Sequence, residues 1–207
     1  MPKIVDHEER RRELAHAVWR VIRRDGVERA SVRTVAEEAG WSPSALRHYF
    51  ATQSELLAFA MRLVVERIEA RISKLDRPTE AREAVEQVLH ELLPLDEERR
   101  AENEVWLAFT ARALVDPELR AHHDEVHDAL HQACASALET LAAPGRAQLG
   151  RQTALQVERL HALTDGLAVH TALRPELMPP ETIVAVLRLH LDALDREADP
   201  AAPTASV

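Results

Sequence analysis

Apolar positions recur at helical spacing along almost the whole chain. Leu14, Val18, Val21 and Ile22 form one stripe, which predicts a first helix from about Asp6 to Asp25. Asp6 with Glu9 makes a capping-box pattern at its start, and Asp25-Gly26 ends it. Val32, Val35, Ala36 and Ala39 are the apolar face of a second helix, and Gly40 follows where a helix end favours the left-handed conformation. Ser42 is then a natural N-cap, with Pro43 at the first helical position. Leu46, Tyr49 and Phe50 make the inward face of this third helix, while Ser44, Arg47 and His48 lie on the other side. A short helix with an apolar back and a Ser/Arg/His front, entered through a tight turn, is the helix-turn-helix pattern.

The same periodicity continues downstream. Thr52 and Glu55 form a second capping box, opening a helix striped by Leu57, Ala60, Met61, Val64, Ile68, Ile72 and Leu75. At about 23 residues it spans roughly 34 Å, long enough to connect a small head to a larger body. Further helices are predicted from a Thr79 N-cap to Leu93, from Asp96 to Val115, from Asp116-Pro117 to Leu141, from Arg146 to Leu173 and from Glu181 to Arg196. The prediction is therefore all-α, with about nine helices. The expected division is a helix-turn-helix DNA-binding domain over residues 1–52, a larger helical domain over 53–196 and a disordered tail over 197–207.

Composition agrees. Of 207 residues, 46% are hydrophobic and 29% charged, and the dominant Ala, Leu, Arg and Glu are good helix formers. No apolar run reaches the roughly 18 residues of a membrane span, and residues 1–9 lack the apolar core of a signal peptide. A lone cysteine, Cys134, leaves no internal disulfide. These features predict a cytoplasmic protein with no membrane partner.

Charge refines the reading. The net charge of −9 argues against general nucleic-acid affinity, but residues 1–55 carry 10 basic and 9 acidic side chains, against 16 and 26 in the rest. Acidic repulsion keeps the body off a duplex and leaves the near-neutral head as the contact. Arg10, Arg11 and Arg12 are consecutive and fan around the first helix, a pattern that suits a solvated surface as well as a phosphate contact.

The body offers less specific chemistry. Trp106 and Phe109, three apart, suit a plain core or the lining of an apolar pocket, with Met61, Cys134 and His161 as further lining candidates. Asp165 reads as a polar anchor or as an exposed charge. Gly166, inside a helical pattern, costs about 1 kcal/mol against Ala and points to a close helix approach, as across a dimer seam. His123, His127 and His131 share one helix face, and such a spacing can ligate zinc. No H-E-x-x-H arrangement accompanies them, so a polar stripe is the simpler reading and a metal-dependent enzyme on this face the remote one. No metal, cofactor or catalytic residue is expected. Leu160, Leu163, Leu167 and His170, with Ile183, Leu187, His190 and Leu194, mark two apolar-striped helices suited to a dimer bundle.

The run A-E-E-A-G-W-S-P-S-A-L-R-H-Y-F-A-T-Q-S-E-L-L, in a three-helix head followed by a connector and a helical body, resembles the TetR family of transcriptional repressors. Val105 to Leu119 and Thr164 to Leu173 resemble the choline–betaine repressor subgroup. The resemblance implies a homodimer joined by its last two helices, a palindromic double-stranded operator, and release by a small-molecule effector of unknown identity. An effector-independent repressor or activator is the alternative. It implies phosphate contacts from Ser31 and Arg33, base reading from Ser42, Pro43, Ser44, Arg47 and His48, and further contacts from Tyr49, Thr52 and Gln53. Arg47 stands where the family commonly has an aromatic residue, and bidentate bonding to guanine is the expectation there. Gln53 stands where a phosphate-binding Lys is common, which predicts a shallower salt dependence.

Overall fold

In the computed structural model of the chain, the backbone is described for residues 7–76, 78–142 and 150–198. Among these residues all regular structure is helical: α1 His7–Asp25, a 3-10 turn Val27–Arg29, α2 Val32–Ala39, α3 Pro43–Arg47, α4 Gln53–Ile72, α5 Ala81–Glu91, α6 Glu97–Ala113, α7 Pro117–Leu141, α8 Gly150–Leu173 and α9 Pro180–Ala198. No described helix is long and apolar enough to cross a membrane.

Local chemistry sets most boundaries. Ser31 caps α2 by accepting from the Thr34 N–H at 3.1 Å, and Thr34 Oγ1 accepts from the Ser31 N–H at 2.8 Å, a reciprocal capping box. Gly40 ends α2 at φ 69°, the left-handed region a Cβ disfavours. Ser42 caps α3 through the Ala45 N–H at 3.1 Å, with Pro43 in the first turn. Thr52 caps α4 through the Glu55 N–H, while Glu55 reaches back to the Ala51 N–H at 2.7 Å, one residue beyond the expected capping box. Asp116 opens α7, its Oδ1 accepting from the Glu118 N–H at 3.1 Å.

Three boundaries differ from the sequence prediction. The connector α4 ends at Ile72 after 20 residues, because Ser73 and Lys74 turn rather than continue. The α5 helix begins at Ala81, not behind a Thr79 cap: Glu80 occupies the N-cap position without a side-chain cap bond. The α9 helix runs through Ala198, two residues past the predicted end at Arg196. Residues 199–207, Asp6 and 143–149 lie outside the described residues.

The chain packs as two compact units, Met1–Lys74 with Glu97–Ala129, and Leu75–Asp96 with Leu130–Val207. No packing boundary falls at residue 52. The first unit has one core in which Leu14, Val18, Val21 and Ile22 of α1 meet Val35 and Ala36, Leu46, Phe50, Leu56 and Phe59, and then Val105, Phe109 and Leu119 of α6 and α7. Phe50 and Phe59 lie with ring centroids 5.0 Å apart, so the end of the head and the connector share one aromatic contact. Burying these side chains, at about 1.5–3 kcal/mol each, ties the helix-turn-helix to α4 and α6. The second unit has its own core, built from Val85, Leu89, Leu93, Cys134, Leu138, Val157, Leu160, Leu167, Ile183, Leu187 and Leu191.

Candidate nucleic-acid interface and body sites

Leu46, fully buried, fixes the short α3 against the head's core. On a helix, its neighbours one and two positions away then face outward. Ser44, Arg47 and His48 are exposed, as are Ser42 and Pro43. Arg47 makes no ion pair among the described residues, so its guanidinium is available to a ligand.

Other predicted contacts are already engaged. The hydroxyls of Ser31, Ser42 and Thr52 cap their helices. Arg33 pairs with Glu37 at 3.0 Å on an exposed face. Gln53 donates its side-chain N–H to the Ala30 carbonyl at 2.7 Å, so it serves as an internal strut between α4 and the start of α2 more than as a phosphate donor. Tyr49 does not join Leu46 and Phe50 in the interior. The α3 helix stops at Arg47, and the following turn leaves Tyr49 38% exposed against Trp41, with centroids 5.5 Å apart.

The body candidates divide between the units. Met61, Trp106 and Phe109 belong to the first: Met61 and Phe109 are buried in its core, and Trp106 is half-buried against it. The His123 ring stacks on Trp106 at 5.2 Å and 11°, and His127 stacks on His123 at 5.9 Å. Cys134, His161 and Asp165 belong to the second unit. Cys134 is buried there, and burial, followed by the charges of Asp165 and Glu158, pushes its thiol up to about 12. His161 is buried with its Nε2 3.7 Å from the Asp165 carboxylate, and His131 lies 3.1 Å from Glu158. The three-histidine face is thus not one group: His123 and His127 join an aromatic column, and His131 faces carboxylate and imidazole neighbours. No group of three or more His, Cys, Asp or Glu suited to a metal occurs among the described residues.

Much of the predicted dimer stripe packs within the second unit. Leu160, Leu167, Ile183 and Leu187 are buried inside the second unit's own core, and Leu163 and Leu194 pack against it. His170 is exposed and His190 half-buried, its Nδ1 accepting from Arg159 at 3.2 Å. The large apolar residues left exposed among the described residues of α8 and α9 are Leu155, Val169, Leu173 and Leu189. Periodicity finds apolar stripes, but a helix with two apolar faces does not say which is internal.

Sequence reading missed three arrangements. Glu102, buried, accepts from Arg71 at 2.7 and 2.6 Å and from Arg67 at 3.1 Å, while Arg67 also pairs with Glu98 and stacks on Trp19 at 4.4 Å. Its signal was present: Glu102 interrupts the stripe that continues through Val105 and Phe109. Ser54 donates to Asp116 at 2.5 Å, and this bond, ahead of two backbone N–H bonds, holds the Asp116 carboxyl below its ordinary range. Arg10 lies over the Trp41 ring, 5.7 Å from its centroid.

Comparisons with known proteins place these features. Residues 14–60 match the family model described as bacterial regulatory proteins, tetR family, and residues 81–196 match the one described as BetI-type transcriptional repressor, C-terminal. The HTH-type transcriptional regulator PksA of Bacillus subtilis is 44% identical over 199 residues, covering 94% of each chain. A transcriptional regulator from a Rhodococcus species has a solved structure that is 32% identical with a TM-score of 0.77, covering 91% of this chain and 97% of its own. A multidrug binding protein, EbrR, solved with ethidium, is 25% identical with a TM-score of 0.60, covering 87% and 98%. With an exposed recognition helix, a matching head and a body matched over more than half its length, the chain belongs to the TetR family of transcriptional regulators, and its body is of the BetI type.

Proposed function

We propose that the protein is a homodimeric repressor that holds a palindromic operator through two α3 helices and releases it when a small molecule binds the body. The observation that carries this reading is the outward face of α3: Ser44, Arg47 and His48 exposed, on a helix that buried Leu46 immobilises. Arg47 bonds guanine O6 and N7, giving each half-site a guanine, and the two helices enter major grooves roughly 34 Å apart.

Dimerisation is supported by a largely apolar strip on α8, with Arg159 its charged member. Leu155, Arg159, Ala162, Gly166, Val169 and Leu173 follow one another at helical spacing, and none is buried within the chain. A Cβ at Gly166 would meet nothing within 4 Å, so this face has room for a closely approaching helix. With Leu189 of α9 it supplies the surface that Leu160 and Leu187 do not. Effector binding is supported by the BetI-type body and by the ethidium complex of the EbrR relative. The stacked Trp106, His123 and His127 offer such a ligand aromatic faces.

Two adjacent residues of α4 give the signal a route. Gln53 grips the Ala30 carbonyl before α2, and Ser54 grips Asp116 at the start of α7. A ligand that shifts α7 against α6 would move Asp116, and through the first turn of α4 the head. It does so only by binding the two states with different affinity.

The test is selection of duplexes from a random library by the purified protein. Enrichment of a palindrome with guanine in each half-site supports the reading, and loss of that guanine preference in Arg47→Ala assigns the contact. A protein that enriches no sequence refutes it. Thermal-shift screening then seeks the effector, since a ligand at 100 times its Kd adds about 2.7 kcal/mol.

A further inference from the structure

The head is nearly neutral by its count of basic and acidic side chains, and several of its arginines are also held by carboxylates. Arg20 and Arg24 both hold Glu38, at 2.6 and 2.7 Å, and keep its carboxyl below the ordinary range. Arg24 also pairs with Asp25 at 2.9 Å, Arg11 with Glu66 and Arg23 with Glu97, both at 3.4 Å, and Arg33 with Glu37 at 3.0 Å. An exposed pair of this kind contributes little, so it sets where a guanidinium rests without barring it from a phosphate. Arg10, Arg29 and Arg47, all exposed, lie in no ion pair among the described residues, and of these Arg10 rests on an aromatic face.

That face is built into the recognition unit. Trp41 directly precedes Ser42, the N-cap of α3, and Tyr49 directly follows His48, its C-cap. The two rings, 5.5 Å apart, bracket the five-residue helix, and the Arg10 guanidinium sits over the Trp41 member. Trp41 is half-buried against the head's core, so the platform is fixed, whereas Tyr49 and Arg10 are exposed. A guanidinium is weakly hydrated and keeps its edge N–H groups free when its plane lies on an indole. Stacked on Trp41, Arg10 surrenders none of its charge and little of its hydrogen-bonding capacity. It is held on the ring that immediately precedes the N-cap of α3. Phosphates flank any helix inserted in a groove, and contacts to them set register without reading sequence.

We propose that Arg10, positioned by Trp41, is a DNA-backbone phosphate contact of the operator complex, separate from the base-reading face of α3. Of Arg10 and Arg11, it is the one with no ion pair among the described residues. Arg11 is turned to α4 by Glu66. The inference rests on the DNA-binding reading of the head and adds to it a second, non-sequence-reading grip. That grip supplies charge where Gln53 supplies none.

The experiment measures affinity against salt concentration by fluorescence anisotropy, using the duplex that the wild-type protein enriches from a random library and an unrelated duplex of equal length. Arg10→Ala lies on an exposed helical position, where alanine preserves the helix. Its effect is expected on both duplexes alike. The slope of log affinity against log salt should shrink by about 1.8, from two contacts per dimer at about 0.9 each. The same two contacts amount to roughly 60-fold in affinity at 0.1 M salt. Guanine preference at the half-sites should be unchanged. Arg10→Lys keeps the charge but not the planar stack, and should recover less than half of the lost slope. An Arg10→Ala protein with wild-type slope and affinity overturns the contact. Full recovery by Arg10→Lys overturns the part assigned to Trp41. Wild-type protein that enriches no duplex refutes the DNA-binding reading itself, an outcome distinct from both.

Discussion

Glu102→Gln tests whether the buried ion cluster holds the connector to the body helix within the first unit. The side chain keeps its shape and loses its charge. Glu102 is only 4% exposed, yet it accepts N–H bonds from Arg71 at 2.7 and 2.6 Å and from Arg67 at 3.1 Å. Hydrogen bonds to charged groups contribute about 1.5–3 kcal/mol each, and removing one partner of a buried pair costs about 3–5 kcal/mol. Here the stranded arginines are about a quarter to a third exposed and Arg67 keeps Glu98, so water recovers part of that. The expected loss is about 2–3 kcal/mol. For a chain of this size it lowers Tm by roughly 4–12 °C. Urea unfolding at fixed protein concentration reads it as a fall in midpoint at unchanged m, and the fixed concentration matters because subunit association adds to apparent stability. Arg71→Ala and the double variant complete a cycle, in which the two single losses should overlap by more than about 1 kcal/mol. A Glu102→Gln loss below about 1 kcal/mol, or additive single losses, would refute the cluster as a clamp and leave it a solvated contact.

Gly40→Ala should cost about 1–2 kcal/mol in the same unfolding assay. A Cβ there meets nothing within 4 Å, so the cost is purely that of φ 69°, and a neutral result would contradict the left-handed cap. Asp116→Asn gives a pH test. The carboxyl is held low by Ser54, so its stabilisation is present above the unfolded value near 4 and is lost as pH falls through the lower folded value. The stability gap between wild type and Asp116→Asn should therefore be full at pH 6 and close below about pH 4, and a gap independent of pH would sink the assignment. Cys134 should resist alkylation at pH 8 in the folded protein, since its thiol is buried and pushed up to about 12, and should react only as fast as the protein opens. Rapid stoichiometric labelling of native protein would place that side chain elsewhere.

The sequence by itself determined the head. Its caps, turn glycine and apolar spacing are local features, and Gly40, Ser42 and Thr52 act where the pattern places them, while Ser31 adds a cap that the pattern did not single out. Local chemistry acts within one turn of the chain, so it can be read from neighbours. Arg47 was also legible, because the residue after a buried Leu46 is turned about 100° away from the core on a helix. Tertiary structure decided what depends on partners distant in sequence. Arg67 and Glu102 are 35 positions apart, and Ser54 and Asp116 are 62 apart. No spacing rule links such residues before packing does. It also decided which apolar stripe of α8 and α9 is internal, since Leu160 and Val169 look equally suited to burial until the rest of the second unit covers one of them. Among the head's cations, only the folded arrangement separates Arg10, stacked on Trp41, from Arg11, paired with Glu66. The sequence prints them as neighbours, and the helix turns them by about 100° onto different surroundings.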